Sequence, residues 1–145
     1  MQAHAQICSD GSGGAIITWD DDRNIVGKYD IYAQKINANG VIQWTPSNGV
    51  IICNATDEQI YPQICSNGFG GAIITWEDHR NAPDPGIYIQ EINSIGVIQA
   101  TTLGIALCTA ENRQINPQIC CDETGGAIIV WQDEREGEDS DDLYA

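Results

Sequence analysis

Basic residues are the scarcest charged group in this sequence. Six Lys and Arg face 21 Asp and Glu, which gives a formal net charge of −15 over 145 residues. Nucleic acids and anionic membrane surfaces are bound through clustered Lys and Arg. We therefore predict no nucleic-acid partner. The general interpretation of this acidity is solubility, and the sharper one is cation binding.

Long apolar runs are also missing. No segment approaches the roughly 20 apolar residues that a transmembrane helix needs, so we predict no membrane insertion. The start, Met1-Gln2-Ala3-His4, lacks the basic and apolar regions of a signal peptide. If the natural protein is secreted, we expect this chain to be a mature form or an excised piece.

The usual catalytic motifs are absent too. There is no G-x-S-x-G elbow, P-loop or G-x-G-x-x-G, and His4 and His79 do not occupy equivalent places. Paired carboxylates are so frequent in the acidic loops that glycosidase-like pairs arise by coincidence. We predict that the chain is not an enzyme, with no catalytic residues and no organic cofactor.

What the sequence contains is a repeat. Residues 13–19 read Gly-Gly-Ala-Ile-Ile-Thr-Trp, and this heptapeptide returns at 70–76 and, with Val for Thr, at 125–131. The spacings are 57 and 55 residues. β-branched and aromatic residues favour a strand, and the run is short for a helix. A turn and a second short strand precede each copy, which predicts an antiparallel hairpin.

Both faces of this central strand are apolar. Ala15, Ile17 and Trp19 share one face, and Ile16 and Thr18 share the other. A strand buried on both faces lies between two other layers, which predicts stacked sheets of the β-propeller type. The same burial is expected for the isoleucines equivalent to Ile16, which are Ile73 and Ile128.

We predict an all-β fold of antiparallel, four-stranded repeats of about 56 residues. Residues 1–145 form one repeat domain, with repeats at about 5–60 and 61–115 and a partial third at 116–145. Two full blades and a partial one do not close a ring of four to eight blades, so we expect a fragment or an assembly of several chains. The alternative is a β-trefoil, which also has three four-stranded repeats.

Four strands, named A to D, are predicted in each full repeat. In the first repeat, residues 1–5 are a leader and 21–29 a loop, and the extended segments are A at 5–8, B at 14–20, C at 30–37, D at 41–44 and a further piece at 49–53. The second repeat has the same order, with D at 96–99 and the further piece at 104–108.

Cysteines follow the repeat, and three interpretations remain open. The first has disulfides Cys53–Cys65 and Cys108–Cys120, each joining one unit to the next, with Cys8 left for a preceding unit or another chain. The second pairs Cys8 with Cys53 and Cys65 with Cys108. The third is buried free thiols. Disulfides would place the protein in an oxidising, extracellular or periplasmic setting.

Each central strand runs into a Trp-x-Asp-x-Arg element. In the structural interpretation, the Asp caps the turn and the Arg pairs with an acid or stacks on the Trp. In the functional interpretation, a ring of acidic loops binds calcium through carboxylates. The candidate calcium ligands are Asp21, Asp78 and Asp133, together with the acidic run 133–142.

The pattern Pro-Gln-Ile, Gly-Gly-Ala-Ile-Ile-x-Trp-x-Asp-x-Arg, then Asp-Ile-Tyr-Ala-Gln-x-Ile-Asn resembles the tandem repeats of large secreted or cell-surface bacterial proteins. The resemblance covers nearly the whole chain. It implies a β-propeller-like, extracellular repeat module, and proteins of this kind mostly have no assigned activity.

We therefore predict a non-catalytic structural or interaction module that associates with other copies of itself or with flanking repeats. The alternative is a carbohydrate-binding module. Trp44 lies outside the shared motif, where the second repeat has Ala100, and it is the candidate aromatic for stacking on a sugar. The competing interpretation of Trp44 is core packing.

Overall fold

A computed structural model describes residues 1–122, 124–136 and 142–145. The strands in these ranges are all antiparallel, and no helix occurs among them, which confirms the all-β prediction. Within the same ranges, no helix is long and apolar enough to span a membrane.

The described residues contain eleven strands, which form three separate sheets. The first sheet contains, in spatial order, β1 (Gln2–Ser9), β2 (Ala15–Ile25), β3 (Lys28–Ile36) and β4 (Val50–Cys53). The second contains β5 (Gln59–Ser66), β6 (Ala72–Asp78), β7 (Gly86–Ile92) and β8 (Ile105–Cys108). The third contains β9 (Gln114–Cys121), β10 (Ala127–Asp133) and β11 (Asp142–Tyr144).

The turn before each central strand is closed by a side chain. Asp10 Oδ1 accepts hydrogen bonds from the backbone N–H groups of Ser12 and Gly14, both at 2.8 Å, and Asn67 and Asp122 do the same in the later repeats. The glycine pair follows from this geometry. Gly13 has φ of +85°, and a Cβ at Gly14 would lie 2.2 Å from the Ile36 carbonyl oxygen.

The prediction for strand D is wrong, because 41–44 forms only an isolated bridge between Ile42 and Ile36. The fourth strand is the following segment, which pairs with β3. In the segment between Ile42 and β4, hydrogen bonds from the buried Gln34 side chain take the place of backbone strand pairing. Its Oε1 accepts from Trp44 N at 3.0 Å, and its Nε2 donates to Pro46 O at 3.1 Å. The second repeat has the same arrangement at 96–99.

Two further boundaries differ from the prediction. The expected leader belongs to β1, because Gln2 and Ala3 pair with Asp21 and Asp20. The expected loop 21–29 is the end of a long hairpin in which Ile25 pairs with Lys28.

The sheets stack in chain order. β5 packs against β1, β2 and β3, and β9 packs against β5, β6 and β7. One core cluster joins the first two sheets, and a second joins the second sheet to the third. No described strand pairs with a strand of another sheet, and the three sheets do not close into a ring.

Burial of the central strand therefore depends on its place in the stack. Ile16 is 0% exposed and Ile73 is 6% exposed, as predicted, but Ile128 is 55% exposed. The expectation for Ile128 is wrong because its side of the third sheet is covered by none of the described strands.

Candidate functional site

The Trp-x-Asp-x-Arg element forms a closed polar cluster. The Asp21 carboxylate accepts from Trp19 Nε1 at 3.2 Å, from Arg23 N at 2.9 Å and from Arg23 Nε at 2.7 Å. The Arg23 guanidinium stacks 4.1 Å above the Tyr32 ring. The later sheets repeat the cluster with Trp76, Asp78, Arg80 and Tyr88, and with Trp131, Asp133, Arg135 and Tyr144.

These contacts keep Asp21 and Asp133 ionised. Burial of Asp21 favours its neutral form, but hydrogen bonds from Arg23, Gln2 and Trp19 outweigh burial and lower its pKa to about 2. Hydrogen bonds from the Arg135 side chain likewise lower the pKa of Asp133 to about 2. Asp21 and Asp133 are thus charged groups whose indole and guanidinium donors come from their own sheet.

The three candidate calcium ligands, Asp21, Asp78 and Asp133, are therefore already occupied by indole and guanidinium donors. Among residues 1–122, 124–136 and 142–145, no group of three or more His, Cys, Asp or Glu is arranged to hold a metal ion. Within the acidic run 133–142, positions 137–141 lie outside the described residues.

All six cysteines lie in the described residues, and all are free. Neither the pairing Cys53–Cys65 with Cys108–Cys120 nor the alternative through Cys8 is present. The Cys53 thiol instead lies 3.2 Å from Arg80 Nη2 of the next sheet. Burial raises the pKa of Cys53 to about 11 and that of Cys65 to about 12, so both remain thiols at neutral pH.

The register explains why Cys53 and Cys65 do not bond. Cys65 pairs with Ile73, whereas the Cys53 thiol lies near Asp78, at the other end of β6. The five residue-to-residue steps from 73 to 78 span about 17 Å of strand. A disulfide needs Cα atoms within about 7 Å. The same offset separates Cys108 from Cys120. Cys120 pairs with Ile128 on the third sheet, whereas the Cys108 thiol of the second sheet lies near Asp133, at the other end of β10.

Trp44 lies in the core instead of on the surface. It is 2% exposed and belongs to the cluster between the first two sheets. Its Nε1 donates to the Ser94 carbonyl oxygen at 3.0 Å, and its ring covers Gly96, where a Cβ would lie 2.8 Å away. Trp44 is therefore not available to stack on a sugar, and its role here is to join two sheets.

Two buried acids at the sheet boundaries join neighbouring sheets, a role that the sequence does not show. Asp20 Oδ2 accepts from the Tyr61 backbone N–H at 3.2 Å, and Glu77 Oε1 accepts from Asn116 N–H at 2.7 Å. Each bond joins one sheet to the next. Burial raises the pKa of Glu77, against the lowering effect of the Asn116 bond. The sequence places Asp20 and Glu77 directly after the Trp of the central strand but does not show their partners on the next sheet.

In the part of the chain that the structure describes, two apolar faces remain open at the ends of the stack. We call the side of β1 and β2 that carries Ile7, Ile17 and Trp19 the front face of the first sheet. We call the side of β10 and β11 that carries Ile128 and Leu143 the back face of the third sheet. Ile7 is 66% exposed and Leu143 is 74% exposed.

These open faces are the surfaces best suited to function among the described residues. The carboxylates of Asp21, Asp78 and Asp133 are already paired with arginines, whereas the front and back faces present apolar side chains at regular strand spacing. No family model, curated protein or solved structure matches this chain.

Proposed function

We propose that this chain is a non-catalytic interaction module of an extracellular repeat protein, and that its sheets are consecutive blades of a β-propeller. The observation that carries the proposal is the repeated contact between units. The front of the second sheet, which carries Ile74 and Trp76, packs on the back of the first, which carries Ile16 and Ile31. The front of the third sheet, which carries Ile129 and Trp131, packs on the back of the second, which carries Ile87. Such a stack grows by adding sheets.

The arrangement of strands favours blades over a β-trefoil. Each described sheet is built from strands of one repeat. A β-trefoil contains a barrel, in which strands of different repeats must pair. The first strands of the three sheets, β1, β5 and β9, lie side by side, as radially arranged sheets require.

The extracellular location rests on the resemblance to secreted and cell-surface bacterial repeats. Antibody labelling of intact native cells, together with assay of the culture medium, tests it. Detection at the surface or in the medium supports the proposal, and detection only inside lysed cells contradicts it.

Association is tested by light scattering over a range of protein concentrations at low and high salt. An average mass that rises above 15.7 kDa with concentration supports an interaction module. Association should strengthen with salt, because each copy carries a formal charge of −15 and salt screens the repulsion. A strict monomer under all conditions would contradict self-association.

A second candidate is carbohydrate binding, favoured by a cavity of about 400 Å³ beside Trp19. Its lining combines the indole with the polar side chains of Gln2 and His4. Glycan-array screening with the wild type and Trp19→Ala tests it. Binding that Trp19→Ala abolishes would support a sugar site, and an array without signal would dismiss it.

A further inference from the structure

We propose that the back face of the third sheet docks onto the front face of the first sheet of a second copy of this chain. The proposal rests on the proposed function and names its partner and its surfaces. It is argued from continuity with the two sheet contacts inside the chain, since both open faces carry the residues that those contacts bury.

The back faces give the first argument. Ile31 and Ile87 occupy equivalent positions opposite Asp20 and Glu77 and are fully buried by the next sheet. Leu143 holds the same place opposite Gln132 and is exposed. Ile128 differs in the same way from its equivalents. The back face of the third sheet therefore carries the residues of a sheet-to-sheet contact, but no described strand covers them.

The front faces give the complementary argument. On the second sheet, Ile74 and Trp76 are fully buried against the first sheet, and Ile64 packs beside them. On the first sheet, the equivalent Ile17 and Trp19 are only half-buried. A second copy offering its third sheet would cover this face as the first sheet covers the second.

A polar contact is repeated along with the apolar ones. Tyr61 and Asn116 adopt positive φ at bulges in β5 and β9, which turns their N–H groups toward Asp20 and Glu77 of the preceding sheet. His4 has the same conformation in β1, with φ of 47°. In the docked pair, the backbone N–H of His4 in one copy donates to the side-chain oxygen of Gln132 in the other copy. Gln132 is the residue equivalent to Asp20 and Glu77.

The contact is heterologous, because a front face meets a back face. Each copy therefore keeps one unused face after the first docking, and assembly proceeds until the sheets close into a ring or form an open stack. This property separates the proposal from a symmetric dimer, in which one patch meets itself.

The test uses the whole chain and three variants that each add one negative charge at an exposed position. Ile7→Glu blocks the front face and Ile128→Glu blocks the back face. Val26→Glu, at the tip of the β2–β3 hairpin, is the control, since Val26 is exposed and lies on neither face. Circular dichroism and urea unfolding establish that each variant folds, and analytical ultracentrifugation measures association.

We expect Val26→Glu to associate like the wild type. Each blocked variant alone should associate at least about 100-fold more weakly, because a carboxylate without a counter-charge in an apolar contact is strongly disfavoured. An equimolar mixture of Ile7→Glu and Ile128→Glu should restore a dimer, since each variant supplies the face that the other has lost.

Three results would overturn the docking proposal. If both blocked variants associate like the wild type, the copies meet through other surfaces, and the interaction-module function survives without this contact. If the mixture remains monomeric, the contact is not front to back. If the wild type is itself monomeric, self-association fails together with the docking.

Discussion

At the scale of single residues, stability depends on charges that are buried together with their partners. The Asp78 carboxylate is fully buried and accepts hydrogen bonds from the Trp76 indole and the Arg80 guanidinium. The guanidinium lies 4.0 Å above the Tyr88 ring. The sequence predicted that the Arg would pair with an acid, but the tyrosine came from another strand and was missed.

Arg80→Ala leaves the Asp78 charge buried without its counter-charge. We expect a loss of about 3 kcal/mol in the free energy of unfolding, measured in urea. The control is Lys28→Ala, which removes an ion pair with Asp57 in which both side chains are exposed, and it should cost less than about 0.5 kcal/mol. Equal losses in both variants would contradict the role given to Arg80.

The pKa of Glu77 is shifted in the opposite direction to those of Asp21 and Asp133. Burial raises it in the folded protein above the value in the unfolded chain. Its ionisation therefore opposes folding above the unfolded pKa of about 4.3. Glu77→Gln keeps an oxygen for the Asn116 N–H and removes the charge, as Gln132 does in the third sheet.

We expect Glu77→Gln to raise stability at pH 7 and to have little effect at pH 3.5, where the wild-type carboxyl is protonated in both states. Urea unfolding at the two pH values measures this difference. Glu111→Gln, at an exposed position, is the control and should be neutral at both. A stability gain of the same size at both pH values would show that burial of the charge is not the cause.

At the scale of elements, the central strands and their preceding turns could be predicted, because local signals determine them. Strand D could not, since the buried Gln34 side chain bonds the backbone that strand pairing would otherwise use. The disulfides failed for a related reason. Equal spacing along the chain places Cys53 and Cys65 near opposite ends of β6, and only the register reveals that distance.

Gly104, in a loop, packs against the Trp76 ring of a strand, and this contact could not be predicted from the sequence. Its φ is +81°, and a Cβ would lie 2.5 Å from the Trp76 ring. Gly68 has φ of +76° with nothing within 4 Å, so Gly68→Ala measures the backbone cost alone, about 1 kcal/mol.

Gly104→Ala should cost about 1–3 kcal/mol more than Gly68→Ala in urea unfolding, because the Trp76 ring must move within a packed interface. Tryptophan fluorescence should change in Gly104→Ala only, because only this substitution displaces the Trp76 ring. Equal costs for the two variants would show that the loop does not pack tightly on Trp76.

At the scale of the whole molecule, the repeat predicted what a sheet buries but not where the stack is open. One pattern has different surroundings at each copy, because the second sheet has neighbours on both sides and the outer sheets have one each. This position in the stack, and not the residue itself, decides the burial of the equivalent isoleucines.

The dependence of burial on position is measured by urea unfolding of Ile16→Ala, Ile73→Ala and Ile128→Ala, at concentrations low enough to keep the protein monomeric. Ile16→Ala and Ile73→Ala should each lose about 2–4 kcal/mol, as buried large-to-small substitutions do. Ile128→Ala should lose no more than about 1 kcal/mol, because its side chain is already half exposed. Equal losses at the three positions, or a loss confined to Ile128→Ala, would contradict the stacked arrangement.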